Sequence, residues 1–250
     1  MNNRGSFLAS IPPVTKNLII INILFWLATI VLRRTGLIDL ENILGLHFWR
    51  SSDFKPVQVV SYMFMHDTSG PAHIFVNMFS LWMFGVVLER VMGMKHFLFF
   101  YLSCGLGAAL AQELVWEFSW QSTYVAAMAA LNHTTTEAVW QWMATGELNS
   151  NMHVFIDSLI TVGASGAVFG ILIAFAMLFP NMPMYLFFIP IPVKAKWMVL
   201  GYGLFELYFG VTGRMDSVAH FAHLGGMIVG FILIWYWKRS GTLKRRNGYY

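Results

Sequence analysis

An all-α membrane protein is the fold class this sequence predicts: a bundle of six transmembrane helices with a long external loop between the first two spans. Three observations carry that expectation. The 250 residues are 57% hydrophobic and only 11% charged, with a mean hydropathy of +0.60, whereas soluble domains carry about 25% charged residues. Six apolar segments separate at 17–32, 72–88, 97–116, 158–179, 197–213 and 217–237, most of them approaching the roughly 20 residues a spanning helix needs. Lys and Arg are absent from Phe97 to Val193, which fits a long external connection between spans three and four.

In chain order, residues 1–16 form a polar segment without the small-residue pattern of a cleaved secretory signal. The first span, 17–32, is short, so flanking side chains would have to reach the interface. Residues 34–71 make the long external segment, with apolar patches that place part of it at the membrane surface. After spans two and three comes a polar-aromatic insertion, 118–157, with room for one or two amphipathic helices. Span four follows it. The stretch "FPNMPMYLFFIPIPVKAK", with prolines at 180, 183, 190 and 192, reads as an irregular cytoplasmic turn. Span five is also short and contains Glu206, which must face protein or water rather than lipid. Span six leads into a basic tail, 238–250. The membrane domain is therefore expected over 17–237.

Orientation follows from the basic residues. With the N-terminus inside, cytoplasmic segments hold eleven: Arg4, Lys16, Arg90, Lys95, Lys194, Lys196, Lys238, Arg239, Lys244, Arg245 and Arg246. Five face the other side: Arg33, Arg34, Arg50, Lys55 and Arg214. Both termini are thus expected in the cytoplasm. The net charge of +4 lies largely in the tail and suits anionic lipid better than nucleic acid. Cys104 is the single cysteine, so no internal disulfide forms. No Arg-rich transit peptide precedes the first span, which points to a bacterial plasma membrane.

The polar residues inside the spans carry the chemistry. In "SVAHFAHLGGMIVG", His223, Gly226 and Gly230 share one helix face. In "TVGASGAVFG", Gly166 and Gly170 also stand four apart, immediately after Ser165. Either glycine face alone is explained by helix packing, and a lone intramembrane serine usually bonds its own backbone. Together, two glycine faces bring two helices close enough for Ser165 and His223 to meet. A hydroxyl beside an imidazole is the minimum for acyl transfer. Ser165 falls in the first turns of its helix, where free N–H groups and the helix dipole favour an anionic intermediate. Gly163 leaves bare backbone where a substrate carbonyl has to approach. His73 and Asn77, four apart at the start of span two, are preset donors for an oxyanion. Taken alone, that pair is better explained as a hydrogen bond fixing the external loop to the helix.

Four stretches together resemble the rhomboid intramembrane serine proteases. "GASG" (163–166) is similar to the family's GxSG motif, and "AHLGGMIVG" (222–230) to AHxxGxxxG. "HIFVN" (73–77) is similar to HxxxN, and "LERVMG" (88–93) to the ExRxxG-like end of span two. The resemblance covers about residues 55–237. It implies a rhomboid bundle in which Ser165 is the nucleophile and His223 the general base and acid. His73, Asn77 and the Ser165 N–H would form the oxyanion hole. It also implies that Phe169 packs on the catalytic imidazole, and that no acidic third residue is recruited. His220 lies outside the matched register. Three departures stand out. The family's Trp-Arg pair falls, through His66, on Val57 and Gln58, so that Trp49 and Arg50 are out of register; "DTSGP" lengthens the path from His66 to His73; and the 118–157 insertion is long.

The resemblance implies an intramembrane serine endopeptidase cutting transmembrane protein substrates near the external boundary, among membrane lipids, with no cofactor and no metal. Two alternatives are a catalytically inactive rhomboid-like binder of membrane proteins and a metal transporter using His66, His73, His220 and His223. The transporter lacks a carboxylate or cysteine cluster joining those histidines.

Overall fold

The computed structural model describes residues 10–185, 192–213 and 219–243. Arg4, Pro190, Arg214, the start of the sixth predicted span and Lys244, Arg245 and Arg246 of the tail lie outside the described residues. The protein is an all-α membrane protein. Among the described residues, four helices are long and apolar enough to cross a bilayer: Pro13–Thr35, Ala72–Met92, Met94–Leu131 and His220–Arg239.

Helix α1 (Pro13–Thr35) starts four residues before the predicted span and runs 23 residues, so it is not short. Its first N–H groups would be orphaned in lipid. Buried Glu89 satisfies them, accepting from Val14 N at 2.9 Å, Thr15 N at 2.7 Å and Thr15 Oγ1 at 2.8 Å. This gives the glutamate of "LERVMG" a structural role. The helix ends at Gly36, whose φ of 67° is the left-handed turn that glycine adopts at low cost.

The segment expected to be external is folded, not loose. It contains α2 (Leu40–Leu44), the strand β1 (Leu46–His47) and α3 (Gln58–Ser61), followed by a 3₁₀ turn at Tyr62–Phe64. Gln58 is fully buried and donates to Ile43 O and Asp53 O while accepting from Lys55 N. Trp49 and Arg50, outside the matched register, both reach Glu117.

Span two is α4 (Ala72–Ser80) continued through a π-helical stretch, Leu81–Gly85, into α5 (Val86–Met92). The third span is far longer than predicted: α6 runs from Met94 to Leu131, 38 residues, or about 57 Å at 1.5 Å per residue. The insertion therefore begins inside a continuous helix. Its remainder folds as α7 (Thr136–Thr145) and α8 (Asn149–Ser158). Tyr124, Val125, Val139 and Leu148 close a small separate core there. Asp157 ties this unit to the external segment, accepting from Ser51 Oγ at 2.7 Å and Ser52 N at 2.9 Å. Those donors hold its carboxyl below the usual carboxylate range.

The fourth apolar segment is only partly helical. Ile160–Thr161 is a strand, β2, pairing antiparallel with β1, and α9 covers just Ser165–Leu178. The proline-bearing turn is also more ordered than expected. Strands β3 (Pro183–Tyr185) and β4 (Pro192–Lys194) pair with Met184 opposite Val193, and Pro183 and Pro192 open the two strands, where a missing N–H is tolerated. Helices α10 (Ala195–Thr212) and α11 (His220–Arg239) follow.

The core sits where α6, α9 and α11 meet. A Cβ on Gly226 would overlap the Gly166 carbonyl, one on Gly230 would stand 2.9 Å from Gly170 O, and one on Gly225 2.8 Å from Gly107 O. The helix backbones touch, as the paired glycine faces predict. By contrast, Leu24, Leu27 and Val31 of α1 and Leu200, Leu204 and Phe205 of α10 are exposed, the pattern of lipid-facing sides.

Candidate active site

Ser165 is the first residue of α9. The turn before it needs Gly163 at φ 133°, a conformation that side chains rarely adopt. That turn is held from below: Gly163 N donates to Tyr62 O at 3.0 Å, and Tyr62 Oη donates to Gly105 O at 2.8 Å. The hydroxyl is thus carried on a fixed elbow between the external segment and the core.

His223 lies one turn into α11, and its Nε2 is 2.7 Å from Ser165 Oγ. The glycine contact between α9 and α11 makes that distance possible, because a larger residue at Gly226 would push the helices apart. Phe169 stacks flat on the imidazole, with ring centroids 4.3 Å apart and planes 8° from parallel. With its proton on Nδ1, the ring accepts the serine proton at Nε2, the tautomer that a base requires.

His73 and Asn77 arrive on α4. A Cβ built on Gly163 would lie 3.0 Å from His73 Nε2 and 3.5 Å from Ser165 Oγ. The hydroxyl and one predicted donor therefore border the same small space over the bare glycine. Buried Asn77 donates one amide hydrogen to His73 O at 2.9 Å, leaving a second hydrogen for another acceptor. All four predicted residues are buried or half-buried, and His73 and His223 stand beside the Gly163–Ser165 turn that opens α9. The His66 ring packs on His73, centroids 5.1 Å apart.

Glu206 is the residue that sequence reasoning left out of the site. The expectation that no carboxylate joins the histidines needs correction. Buried Glu206 of α10 accepts from His220 Nδ1 at 2.6 Å, and the same oxygen, Oε2, stands 3.0 Å from His223 Nδ1. Its cost inside an apolar span was a usable signal. Gly210, four residues on and on the same face, was another: a Cβ there would meet His220 and Phe221 at 3.1–3.3 Å. Among the described residues, Glu206, His220 and His223 could also hold a metal ion, with ligand atoms within 4.8 Å of one another. The observed 2.6 Å separation is a hydrogen bond, however, and is shorter than the roughly 3.3 Å between two ligands of a tetrahedral zinc with ~2.0 Å bonds.

Comparison with known proteins gives a consistent picture. A family model described as the Rhomboid domain matches residues 48–240. "Rhomboid protein 1, mitochondrial" of Saccharomyces cerevisiae is 25% identical over 191 residues, 76% of this chain and 44% of that protein. "RHOMBOID-like protein 6, mitochondrial" of Arabidopsis thaliana is 25% identical over 205 residues, 81% of this chain and 48% of that protein. "RHOMBOID-like protein 4" of Arabidopsis thaliana is 25% identical over 226 residues, 88% of this chain and 43% of that protein. The chain thus matches less than half the length of each of these relatives.

Proposed function

The chain belongs to the rhomboid family, and from that premise we propose that it is a serine-type intramembrane endopeptidase. One observation carries the reading: a serine hydroxyl and an imidazole nitrogen 2.7 Å apart at the mouth of an apolar bundle. Ser165 Oγ attacks a substrate carbonyl while its proton passes to His223 Nε2; His223 then gives that proton to the leaving amine, and water reverses the sequence on the acyl-enzyme. The intermediate's oxygen falls in the space over Gly163, within reach of His73, Asn77 and the N–H groups that open α9. Such preset donors act where charge develops.

The substrates are transmembrane proteins cut near the external boundary. A membrane helix must open locally before its carbonyl is exposed, since its peptide groups are paired within the helix. In this reading 17–237 is the protease domain, 1–16 and 238–250 are cytoplasmic flanks, and the protein resides in a bacterial plasma membrane. The 3.0 Å approach of a carboxylate to His223 supports catalysis over inert binding, which needs no such arrangement.

The test is fluorophosphonate labelling of purified protein, paired with cleavage of a transmembrane peptide in proteoliposomes. Wild type should label and cut; Ser165→Ala should do neither while keeping its melting temperature. Folded wild type that binds the peptide without labelling or cutting would make this a binding protein.

A further inference from the structure

We propose that Glu206 is a positioning residue for His223, so that the hydroxyl, the imidazole and the carboxylate form a chain of three groups across α9, α11 and α10. The proposal rests on the protease reading above and adds a residue from a helix that the recognised motifs do not include.

Geometry carries it. Ser165 Oγ lies 2.7 Å from one nitrogen of His223, and Glu206 Oε2 lies 3.0 Å from the other. Phe169 fixes the plane of the ring, but stacking leaves rotation within that plane free; a partner at Nδ1 removes it. The carboxylate oxygen stands off the N–H direction, leaving Nδ1 without an aligned hydrogen bond in this arrangement. The last torsion of a glutamate side chain is soft, and catalytic hydrogen bonds often tighten only when substrate binds. Among the described residues, the titratable groups that face this ring are Glu206 on α10, His220 on the ring's own helix α11 and His73 on α4.

The electrostatic argument points the same way. When Ser165 transfers its proton to Nε2, His223 becomes an imidazolium, and its Nδ1 proton stays in place facing Glu206. A carboxylate at that position stabilises the cation as it forms and selects the tautomer that leaves Nε2 able to accept. Alone, a buried carboxylate would be costly. His220 offsets that cost by donating to Oε2 at 2.6 Å, and Phe209 packs on the His220 ring, centroids 5.9 Å apart. His220 thus holds Glu206, and Glu206 holds His223.

The experiment compares kcat, KM and fluorophosphonate labelling of wild type, Glu206→Gln and Glu206→Asp, each normalised to folded protein. Glutamine keeps the shape and can still present an oxygen to the two histidines, but it removes the negative charge that stabilises the imidazolium. For Glu206→Gln, kcat and labelling rate should fall together by about 10²-fold with KM unchanged. Glu206→Asp, which keeps the charge but holds it one methylene short of His223, should recover about tenfold of that loss and stay below wild type. Folded Glu206→Gln that works at the wild-type rate overturns the proposal, leaving Glu206 as a helix clip to His220. If Glu206→Gln does not fold, Glu206→Asp decides: a kcat equal to wild type overturns the proposal, and a lowered kcat at unchanged KM supports it. Wild-type activity abolished by a chelator and restored by zinc would overturn it in favour of a metal site. A wild type that neither labels nor cuts refutes the protease reading itself, a result distinct from all of these.

Discussion

Two seams meet along α11, and they are built differently. Toward α9 the contact is backbone against backbone, through Gly166, Gly170, Gly226 and Gly230. Ten of the fourteen residues of α9 are buried. Toward α10 the contact is made by side chains, and only Ala195, Val199 and Glu206 of that helix are buried. One seam leaves no slack, while the other is held chiefly by a carboxylate and its histidine partners. The difference teaches where geometry is fixed by shape and where it depends on charge. Shape sets the distance from serine to imidazole; charge brings the Glu206 carboxylate to the far side of the same ring.

Substitutions along both seams would sharpen or break that contrast. The largest effect is expected at Gly226→Ala. Its methyl would overlap a backbone carbonyl that has nowhere to go, and stability should fall by at least about 3 kcal/mol. A Gly226→Ala protein with wild-type unfolding in detergent would show that the tight seam has slack after all.

A smaller effect is expected from pH at His66, which is fully buried against the His73 ring. Burial and the neighbouring His73 ring lower its pKa to about 3. The folded state then binds fewer protons than the unfolded one between the ordinary histidine range near 6.5 and about 3. Stability should be full above that window and decline through it as pH falls, by up to ~1.4 kcal/mol per unit. Melting temperatures from pH 7 to 5 should drop more steeply for wild type than for His66→Gln. Parallel slopes would remove His66 from the account.

The smallest effect, of opposite sign, is expected at Gly201→Ala on α10, where nothing lies within 4 Å of the added methyl. Helix propensity alone should raise stability by about 0.5–1 kcal/mol. A loss there would mean that α10 is packed more closely than its exposure suggests.

Much of this was legible in the residues. Glycines four apart in two spans announced a close approach, and the burial of Gly166, Gly170, Gly226 and Gly230 at one contact follows from it. Ser165 was expected in the first turns of a helix opening near 158, and the helix begins at Ser165 itself. What escaped was anything set by partners distant in sequence. The end of α6 at Leu131 was hidden because its outer half, rich in Gln, Ser and Trp, reads as an insertion. The β1–β2 pairing joins residues more than a hundred positions apart and has no local signal. Glu206 was noticed as costly, yet which group compensates it depends on how α10 docks on α11, and hydropathy does not encode that.

The length of α6 has a consequence of its own. A helix of about 57 Å is nearly twice as tall as a bilayer's hydrocarbon core of about 30 Å. Its lower half packs at Cys104 and Ala108 against the glycine seam, so the upper half, capped by α7 and α8, stands as a mast rooted in the floor that bears the serine. The chain descends from α8 to Ser165 within seven residues, placing the mast beside the opening. A stiff helical unit, rather than a pliable loop, therefore flanks the serine's end of the bundle.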